Sequence, residues 1–161
     1  YNQAIIRTIP NTPSSILKGI TAMYFNINCN SQIIENAEML MNAVGETINV
    51  NDEELMDAYT AVSGSGPAYI YYMVEAMIDA GIQIGIHPDN AKKLAEKTLV
   101  GSAYLLENRN VDAQELRKAV TSPKGTTEAG LKVLMKDNNF FNLVKNAINE
   151  AKNRGKDLGK L

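Results

Sequence analysis

The sequence predicts a mainly α fold, in which a helical bundle follows a few short strands. Two observations carry this prediction. From residue 51 onward, apolar residues recur with helical spacing through most of the chain. Before residue 51, short β-branched runs are bounded by proline, glycine and asparagine, which is typical of strands and turns. We therefore divide the 161 residues into an α/β part over residues 1–50 and a helical part over residues 51–161.

The α/β part contains three predicted strands, over residues 4–9, 21–27 and 46–50. Between the first two, residues 10–13 form a loop, because each of its prolines restrains the residue before it. Between the last two, we expect a helix that Ser31 caps and Gly45 closes. Three strands of this length do not make a secure domain alone, so we interpret them as the last strands of a larger sheet. The first residue, Tyr1, is not a methionine, which suggests a fragment.

The helical part begins at Asn51, which we expect to cap the first helix, with Asp52, Glu53 and Glu54 in its first turn. Residues 63–67 interrupt this helix and start the next, since proline suits a first helical turn. Their two glycines do not form a dinucleotide-binding loop: Tyr69 stands where the third small residue is needed, and no strand leads into them.

The helix predicted over residues 67–85 is apolar on nearly every side. Its strongly polar side chains, Glu75, Asp79 and Gln83, lie on one narrow line. A helix of this kind must be buried on nearly every side. Either a second copy of the chain covers part of it, which we favour, or it is the central helix of a monomeric bundle.

Further helices are predicted after His87, from Asp112, from about Thr126 to Met135, and over residues 139–158. His87 stands at a corner between helices, where a structural or solvated role is the simplest interpretation.

The most informative stretch is the turn over residues 120–128. Pro123 should stop the helix before it, and Gly125 permits a tight reversal into the next helix. The first amides of that next helix lack internal partners, and hydroxyls of serine and threonine surround them. Such a turn can bind a small carboxylate, although the same residues also describe an ordinary capped connection.

Composition excludes several classes of function. With 16 basic and 18 acidic residues, no basic stripe and no tryptophan, the chain does not suggest nucleic-acid binding. The one cysteine, Cys29, excludes an internal disulfide and a thiolate metal cluster. There is no apolar run near twenty residues, so we expect no membrane interaction and a cytoplasmic, reduced location.

Three motifs resemble those of one enzyme family. Thr121-Ser-Pro-Lys-Gly-Thr-Thr, followed by Gly130-Leu131, resembles the signature segment of the pyrroline-5-carboxylate reductases. Arg7-Thr-Ile-Pro-Asn-Thr-Pro and Ser63-Gly-Ser-Gly-Pro-Ala-Tyr resemble two more motifs of that family, in the same order. The resemblance implies that residues 1–50 complete a truncated Rossmann-type α/β domain. Residues 51–161 would then be a helical dimerisation and substrate-binding domain.

The resemblance also implies an activity, the reduction of 1-pyrroline-5-carboxylate to L-proline with NADPH or NADH, in a homodimer or a higher oligomer of dimers. It assigns catalysis to Thr127 and substrate binding to Ser122, Gly125, Thr126, Thr127 and Glu53. It places Pro10, Asn11, Thr12 and Pro13 near the nicotinamide, with the main cofactor site outside this chain. The expected dimer interface comprises Ser63, Gly64, Ser65, Gly66, Pro67, Ile70, Val74 and Met77.

Two residues depart from the family pattern. Lys124 stands where glycine is usual, so we expect a turn that does not need a positive φ there. Ala119 stands where an amide side chain is common, so a cofactor contact is lost. A second hypothesis is a non-catalytic helical interaction module whose turn only caps helices. A β-hydroxyacid-type dehydrogenase is disfavoured, because Lys92 and Lys93 lie outside any recognisable motif for such an enzyme.

Overall fold

The structure is a computed structural model that describes residues 2–109 and 111–159. Three strands and seven α-helices follow one another in the described residues, and the prediction of a mainly α chain with a small sheet is confirmed. They are β1 (Ile6–Ile9), β2 (Gly19–Phe25), α1 (Ser31–Asn42), β3 (Gly45–Val50), α2 (Met56–Tyr59), α3 (Gly66–Gln83), α4 (Pro88–Asn108), α5 (Ala113–Ala119), α6 (Thr126–Met135) and α7 (Asn139–Leu158).

The chain divides into two compact units. The first contains the residues up to Tyr69 together with the end of the chain from Lys145, and the second is Ile70–Val144. None of the helices in residues 2–109 and 111–159 is long and apolar enough to cross a membrane.

The first unit is built on the three-stranded sheet. β2 lies in the middle, antiparallel to β1 and parallel to β3, and α1 makes the crossover that a parallel pair requires. β2 and β3 start side by side, with Gly19 opposite Gly45. A Cβ on Gly45 would lie 2.0 Å from the carbonyl oxygen of Gly19, and its φ of +153° is one that side chains disfavour. Glycine is therefore needed where these two strands meet.

The core of the first unit lies along β2 and the residues that follow β3. Met23 and Met56 are 0% exposed. Burial of a methionine side chain stabilises a fold by about 1.5–3 kcal/mol. The other buried residues described in this unit are Gly19, Thr21, Ala22, Val50 and Ala61.

Two predicted helix caps are wrong by one residue. Asn30, not Ser31, caps α1: its Oδ1 accepts a hydrogen bond from the amide of Ile33 at 2.9 Å. Asp52, not Asn51, caps the turn after β3, accepting from the amide of Glu54 at 2.9 Å. In both places two capping residue types stand side by side, so propensity alone does not choose between them.

The helix predicted from residue 51 is a chain of short pieces. A 3₁₀ turn (Glu53–Leu55) and α2 lead into a π turn (Thr60–Gly64), where the amide of Ser65 donates to the carbonyl of Thr60 at 2.8 Å. The hydroxyl of Ser63 bonds back to the carbonyl of Tyr59 at 3.0 Å, a contact that bends helices. The predicted interruption at residues 63–67 is therefore confirmed, and α3 begins at Gly66.

The second unit contains a hairpin of α3 and α4. A Cβ on Gly81 would lie 3.3 Å from the Cβ of Ala91, so the two helices approach closely there. Gly85, with φ of +98°, makes the reversal between them. Among the described residues of this unit, the buried ones are Ala91 and Ala95 alone. α3 has no buried residue.

Candidate functional site

The turn between α5 and α6 lies wholly in the second unit. α5 ends at Ala119, ahead of the predicted stop at Ser122. Its last carbonyls are used locally: Thr121 donates its amide to Lys118 at 3.0 Å and its hydroxyl to Arg117 at 2.6 Å. The proton of the Thr121 hydroxyl is therefore used at the helix end and is not available for donation to an anion.

Lys124, and not Gly125, makes the reversal. The amide of Gly125 donates to the carbonyl of Ser122 at 3.0 Å, which closes a four-residue turn with Pro123 and Lys124 at its centre. Lys124 has a φ of +60°, whereas Gly125 is extended, with φ of −86° and ψ of 174°. The prediction that position 124 does not need a positive φ is wrong. Proline at the second position and a left-handed residue at the third is the pattern of a type II turn, which favours glycine at the third.

Gly125 leaves the start of α6 open. It occupies the N-cap position without a side chain, and no side chain in the described part of the molecule caps this helix. The first helical hydrogen bond runs from the amide of Ala129 to the carbonyl of Gly125 at 3.2 Å. The amides of Thr126 and Thr127 consequently have no partner within the helix, and they lie at the positive end of its dipole.

Three hydroxyls flank these amides. Ser122, Thr126 and Thr127 are all exposed, and their hydroxyls have no hydrogen-bond partner within residues 2–109 and 111–159. The turn thus brings the four predicted substrate residues of this stretch together, including Gly125. Unpaired amides and hydroxyls at a helix N-terminus can bind a small anion.

Glu128 is a residue of this turn that the sequence analysis overlooked. Its Oε2 accepts a hydrogen bond from the backbone amide of Lys124, and its Oε1 lies 3.0 Å from the Lys132 ammonium. The amide of Lys124 first, and Lys132 second, lower the pKa of the Glu128 carboxyl below its ordinary value of 4.5. An acidic residue three positions after the N-cap was the available signal, since this position often reaches back to the preceding amides.

An open groove of about 420 Å³ runs beside this turn. It is lined by Arg117, Thr121, Glu128, Leu131, Lys132, Met135 and Lys136. Three of the four charged residues in this lining are basic and the fourth is Glu128, so the groove carries a net positive charge.

The predicted nicotinamide loop lies in the first unit. Pro10 ends β1, and a 3₁₀ turn runs over Thr12–Ile16 with Asn11 as its N-cap. The Oδ1 atom of Asn11 accepts from the amide of Ile20 at 3.0 Å, so this side chain ties the loop to β2.

The loop of residues 10–13 exposes a few positions that a ligand can reach, and it does not provide a site for a whole dinucleotide. The buried Ser14 Oγ has no hydrogen-bond partner among the described residues, and Pro10 and Thr12 are exposed. A glycine-rich strand–turn–helix, which would hold the pyrophosphate, is not found in residues 2–109 and 111–159.

Glu53 also lies in the first unit, where it pairs with Arg7. Its Oε1 is 3.6 Å from the Arg7 guanidinium, whose other nitrogen is 3.4 Å from Asp57. Arg7 thereby joins β1 to the residues that follow β3. Within the described ranges, no group of three or more His, Cys, Asp or Glu could hold a metal ion.

The predicted interface residues differ in their solvent exposure and in the free space around them. A Cβ on Gly64 would lie 3.5 Å from the side chain of Ile9, whereas a Cβ on Gly66 would have no neighbour within 4 Å. On α3, Ile70 and Met77 are 48% and 43% exposed. Val74, Ser63, Ser65 and Pro67 are partly buried.

Comparison with known proteins identifies relatives of one kind. Residues 53–158 match the family described as pyrroline-5-carboxylate reductase dimerisation. A pyrroline-5-carboxylate reductase of Pseudomonas aeruginosa is 40% identical over 154 residues, which cover 96% of this chain and 56% of the relative. The solved pyrroline-5-carboxylate reductase of Coxiella burnetii superposes with a TM-score of 0.92 at 39% identity, covering 98% of this chain and 58% of that one. The Plasmodium falciparum enzyme, solved with NADP bound, superposes with a TM-score of 0.85 at 34% identity, covering 96% and 63%.

Proposed function

The chain belongs to the pyrroline-5-carboxylate reductase dimerisation family, and from this premise we propose that it is the substrate-binding and dimerising portion of such a reductase. The enzyme would reduce 1-pyrroline-5-carboxylate to L-proline with NADPH or NADH. The chain spans 56% of the length of the Pseudomonas relative and 59% of a Synechocystis relative, and we propose the activity for an enzyme of their length that includes these residues. The observation that carries the proposal is the open N-terminus of α6, with its unpaired amides and hydroxyls.

The substrate's carboxylate would bind at the start of α6. The amides of Thr126 and Thr127 point out of the helix with the positive end of its dipole, and the Ser122 hydroxyl can donate to the same anion. Gly125 keeps the approach open, since a Cβ there would lie 3.1 Å from the Ser122 carbonyl and crowd the turn.

The Thr127 hydroxyl would bind the ring nitrogen. A hydroxyl both donates and accepts, so it can stay bound while the nitrogen changes from imine to amine. Reduced nicotinamide, when bound, would supply the hydride that adds to the carbon of the protonated imine, which leaves the neutral amine of proline. The residues of this chain would hold the ring by its nitrogen and by the carboxylate, which is attached to the ring carbon on the other side of that nitrogen, and so fix the position of the imine carbon.

The loop of Pro10, Asn11, Thr12 and Pro13 would contact the nicotinamide end of the cofactor. The tie between Asn11 and β2 keeps this loop in one conformation. The pyrophosphate and adenosine would be held by residues outside these 161. Glu53 is proposed to approach the substrate's cationic nitrogen, with its carboxylate oriented by Arg7 at 3.6 Å.

We also propose that the enzyme is a homodimer, or an assembly of such dimers, joined through α3. The apolar side chains Ile70, Met77 and Tyr72 are 48%, 43% and 73% exposed in the single chain. The residues proposed for the interface are Ser63, Gly64, Ser65, Gly66, Pro67, Ile70, Val74 and Met77. We propose that the boundary between the two domains lies between residues 50 and 51, where β3 ends and shortly before the family match begins. Since the reaction consumes a reduced nicotinamide, we propose a cytoplasmic location, where that cofactor is supplied.

A Thr127→Val variant of the full-length enzyme tests the proposed function. We expect kcat for pyrroline-5-carboxylate to fall about 10²-fold or more, because a hydrogen bond to the reacting group is lost, while the melting temperature stays near that of the wild type. Thr98→Val, at an exposed position on α4, is the matched control and should keep full activity.

Unchanged kinetics in Thr127→Val would contradict the assignment. If the wild-type enzyme itself does not oxidise NADPH with this substrate, the alternative of a non-catalytic helical interaction module is supported instead.

A further inference from the structure

We propose that Glu128 is a positioning residue, which holds Lys124 in its left-handed conformation and so keeps the substrate's carboxylate site in shape. This inference rests on the proposed function for its kinetic consequences. Its structural basis is the pair of contacts that the Glu128 carboxylate makes, one to the backbone amide of Lys124 and one to the Lys132 ammonium.

The reason for such a residue is the backbone at position 124. Lys124 has a φ of +60°, and a lysine resists this conformation because its Cβ approaches the following carbonyl oxygen. Glycine adopts it without that clash. A lysine here therefore needs an interaction that favours the left-handed state over the extended one. The Glu128 oxygen supplies it, because it accepts the Lys124 amide only when that amide points toward α6.

The Glu128 carboxylate is itself fixed in place. Lys132 lies one helical turn further along α6, and its ammonium is 3.0 Å from the second carboxylate oxygen. One carboxylate oxygen thus contacts the turn and the other contacts a side chain of α6. The carboxylate links Lys124 to the body of α6 across the stretch that contains Gly125, Thr126 and Thr127.

The consequence concerns the unpaired donors. Gly125 follows Lys124 directly and is the N-cap of α6. When Lys124 leaves the left-handed region, the Ser122–Gly125 turn opens and the Ser122 hydroxyl moves away from the amides of Thr126 and Thr127. Substrate binding then weakens. The hydroxyl of Thr127 belongs to the first turn of α6, so it still bonds to the ring nitrogen once the substrate is bound.

A simpler role for Glu128 would be a favourable charge in the first turn of a helix. The two roles differ in one respect. If Glu128 acts through Lys124, a glycine at position 124 makes it dispensable. If it acts on the helix dipole, its removal has the same effect whichever residue stands at 124.

The experiment is a double-mutant cycle in the full-length enzyme, with Glu128→Ala, Lys124→Gly and the two combined. We expect Glu128→Ala to raise KM for pyrroline-5-carboxylate about tenfold with kcat within about twofold of the wild type. We expect the combined variant to have a KM within about twofold of Lys124→Gly alone. Glu128→Gln, which keeps an acceptor oxygen but loses the charge and the ion pair with Lys132, should recover only part of the loss, and it covers the case in which Glu128→Ala folds poorly.

The control is Glu96→Ala, which removes another carboxylate paired with a lysine four residues away, Lys92 at 4.0 Å. It should leave KM unchanged. The proposal is overturned if Glu128→Ala leaves KM unchanged, or if it raises KM equally with lysine and with glycine at position 124.

A second readout separates this proposal from the proposed function. Amide hydrogen exchange at Thr126 and Thr127 should be faster in Glu128→Ala than in the wild type, and not faster in the combined variant than in Lys124→Gly. This difference is expected whether or not the enzyme reduces pyrroline-5-carboxylate. Equal exchange in Glu128→Ala and the wild type would overturn the role of Glu128 even in an active enzyme.

Discussion

The two units of the chain differ in how far they bury their large apolar side chains. The first unit buries large side chains in its own core, with Met23 and Met56 fully enclosed around the central strand. In the second unit, the buried residues among those described are two alanines, Ala91 and Ala95, while large apolar side chains on all its long helices remain exposed. Examples are Tyr72, Tyr104 and Val133.

This difference shows where the chain needs a partner. A unit whose core consists of alanines has little apolar burial to offset the conformational entropy lost on folding. Its exposed apolar surface becomes stabilising only when another surface covers it. The substrate turn belongs to this second unit, so the proposed active site should be stable only in the assembled protein. The first unit should be much less dependent on assembly.

The largest expected effect concerns the core of the first unit. Met23→Ala should destabilise the protein by about 2–5 kcal/mol, because it removes a fully buried side chain and leaves a cavity. Urea unfolding followed by circular dichroism measures this loss. Met39→Ala, at a position on α1 that is 70% exposed, is the matched control and should change stability by less than about 0.5 kcal/mol. Equal losses in the two variants would contradict a first unit stabilised by the core around Met23.

A smaller effect is expected when charge is placed on the exposed face of α3. Met77→Glu should weaken self-association by at least about 2 kcal/mol, or ~30-fold in Kd, because a carboxylate would be buried at the interface. Sedimentation velocity over a dilution series measures it. Glu75→Gln, on the polar line of the same helix, should leave Kd unchanged. An unaltered Kd in Met77→Glu would show that this face is not part of the interface.

The smallest effect concerns pH and is local to the substrate turn. The pKa of Glu128 is lowered in the folded protein, so its contribution is present above the ordinary value of 4.5 and is lost as pH falls through the lowered pKa. The other charged groups that line the same groove are Lys132, Arg117 and Lys136. Amide exchange at Thr126 should therefore differ most between the wild type and Glu128→Ala at neutral pH, and the difference should shrink as the pH falls through the lowered pKa, because the neutral carboxyl keeps an acceptor oxygen but loses its charge and its ion pair with Lys132. A difference of undiminished size in acid would exclude the charge of the carboxylate as its source.

Most of the fold followed from pattern and composition. Periodicity predicts α7 over the residues that the structure assigns to it, and the apolar character of residues 67–85 predicts α3 within two residues at each end. These predictions succeed because apolar periodicity reports burial over many residues at once. The two cap predictions were wrong because the choice between Asn30 and Ser31, or between Asn51 and Asp52, depends on a single hydrogen bond.

The turn between α5 and α6 was predicted in outline and its backbone was not, and the roles of its residues stay a prediction. Ser122, Gly125, Thr126 and Thr127 lie together as expected, because a proline followed by a glycine confines the reversal to a few residues. The position of the left-handed residue was assigned wrongly, because glycine propensity favoured Gly125 over Lys124. The conformation of the turn depends on Pro123 at its second position and on the Glu128 carboxylate, which accepts a hydrogen bond from the Lys124 amide. Residue propensities do not take such a hydrogen bond into account.

We infer that a second copy of the chain covers the apolar helices that are exposed in the second unit. Sedimentation equilibrium of the full-length wild-type protein, combined with hydrogen exchange along α3, tests this most directly. We predict a mass of two chains or a multiple of two, with α3 amides that lose their protection on dilution. A monomer at high concentration whose α3 amides remain protected would contradict the account.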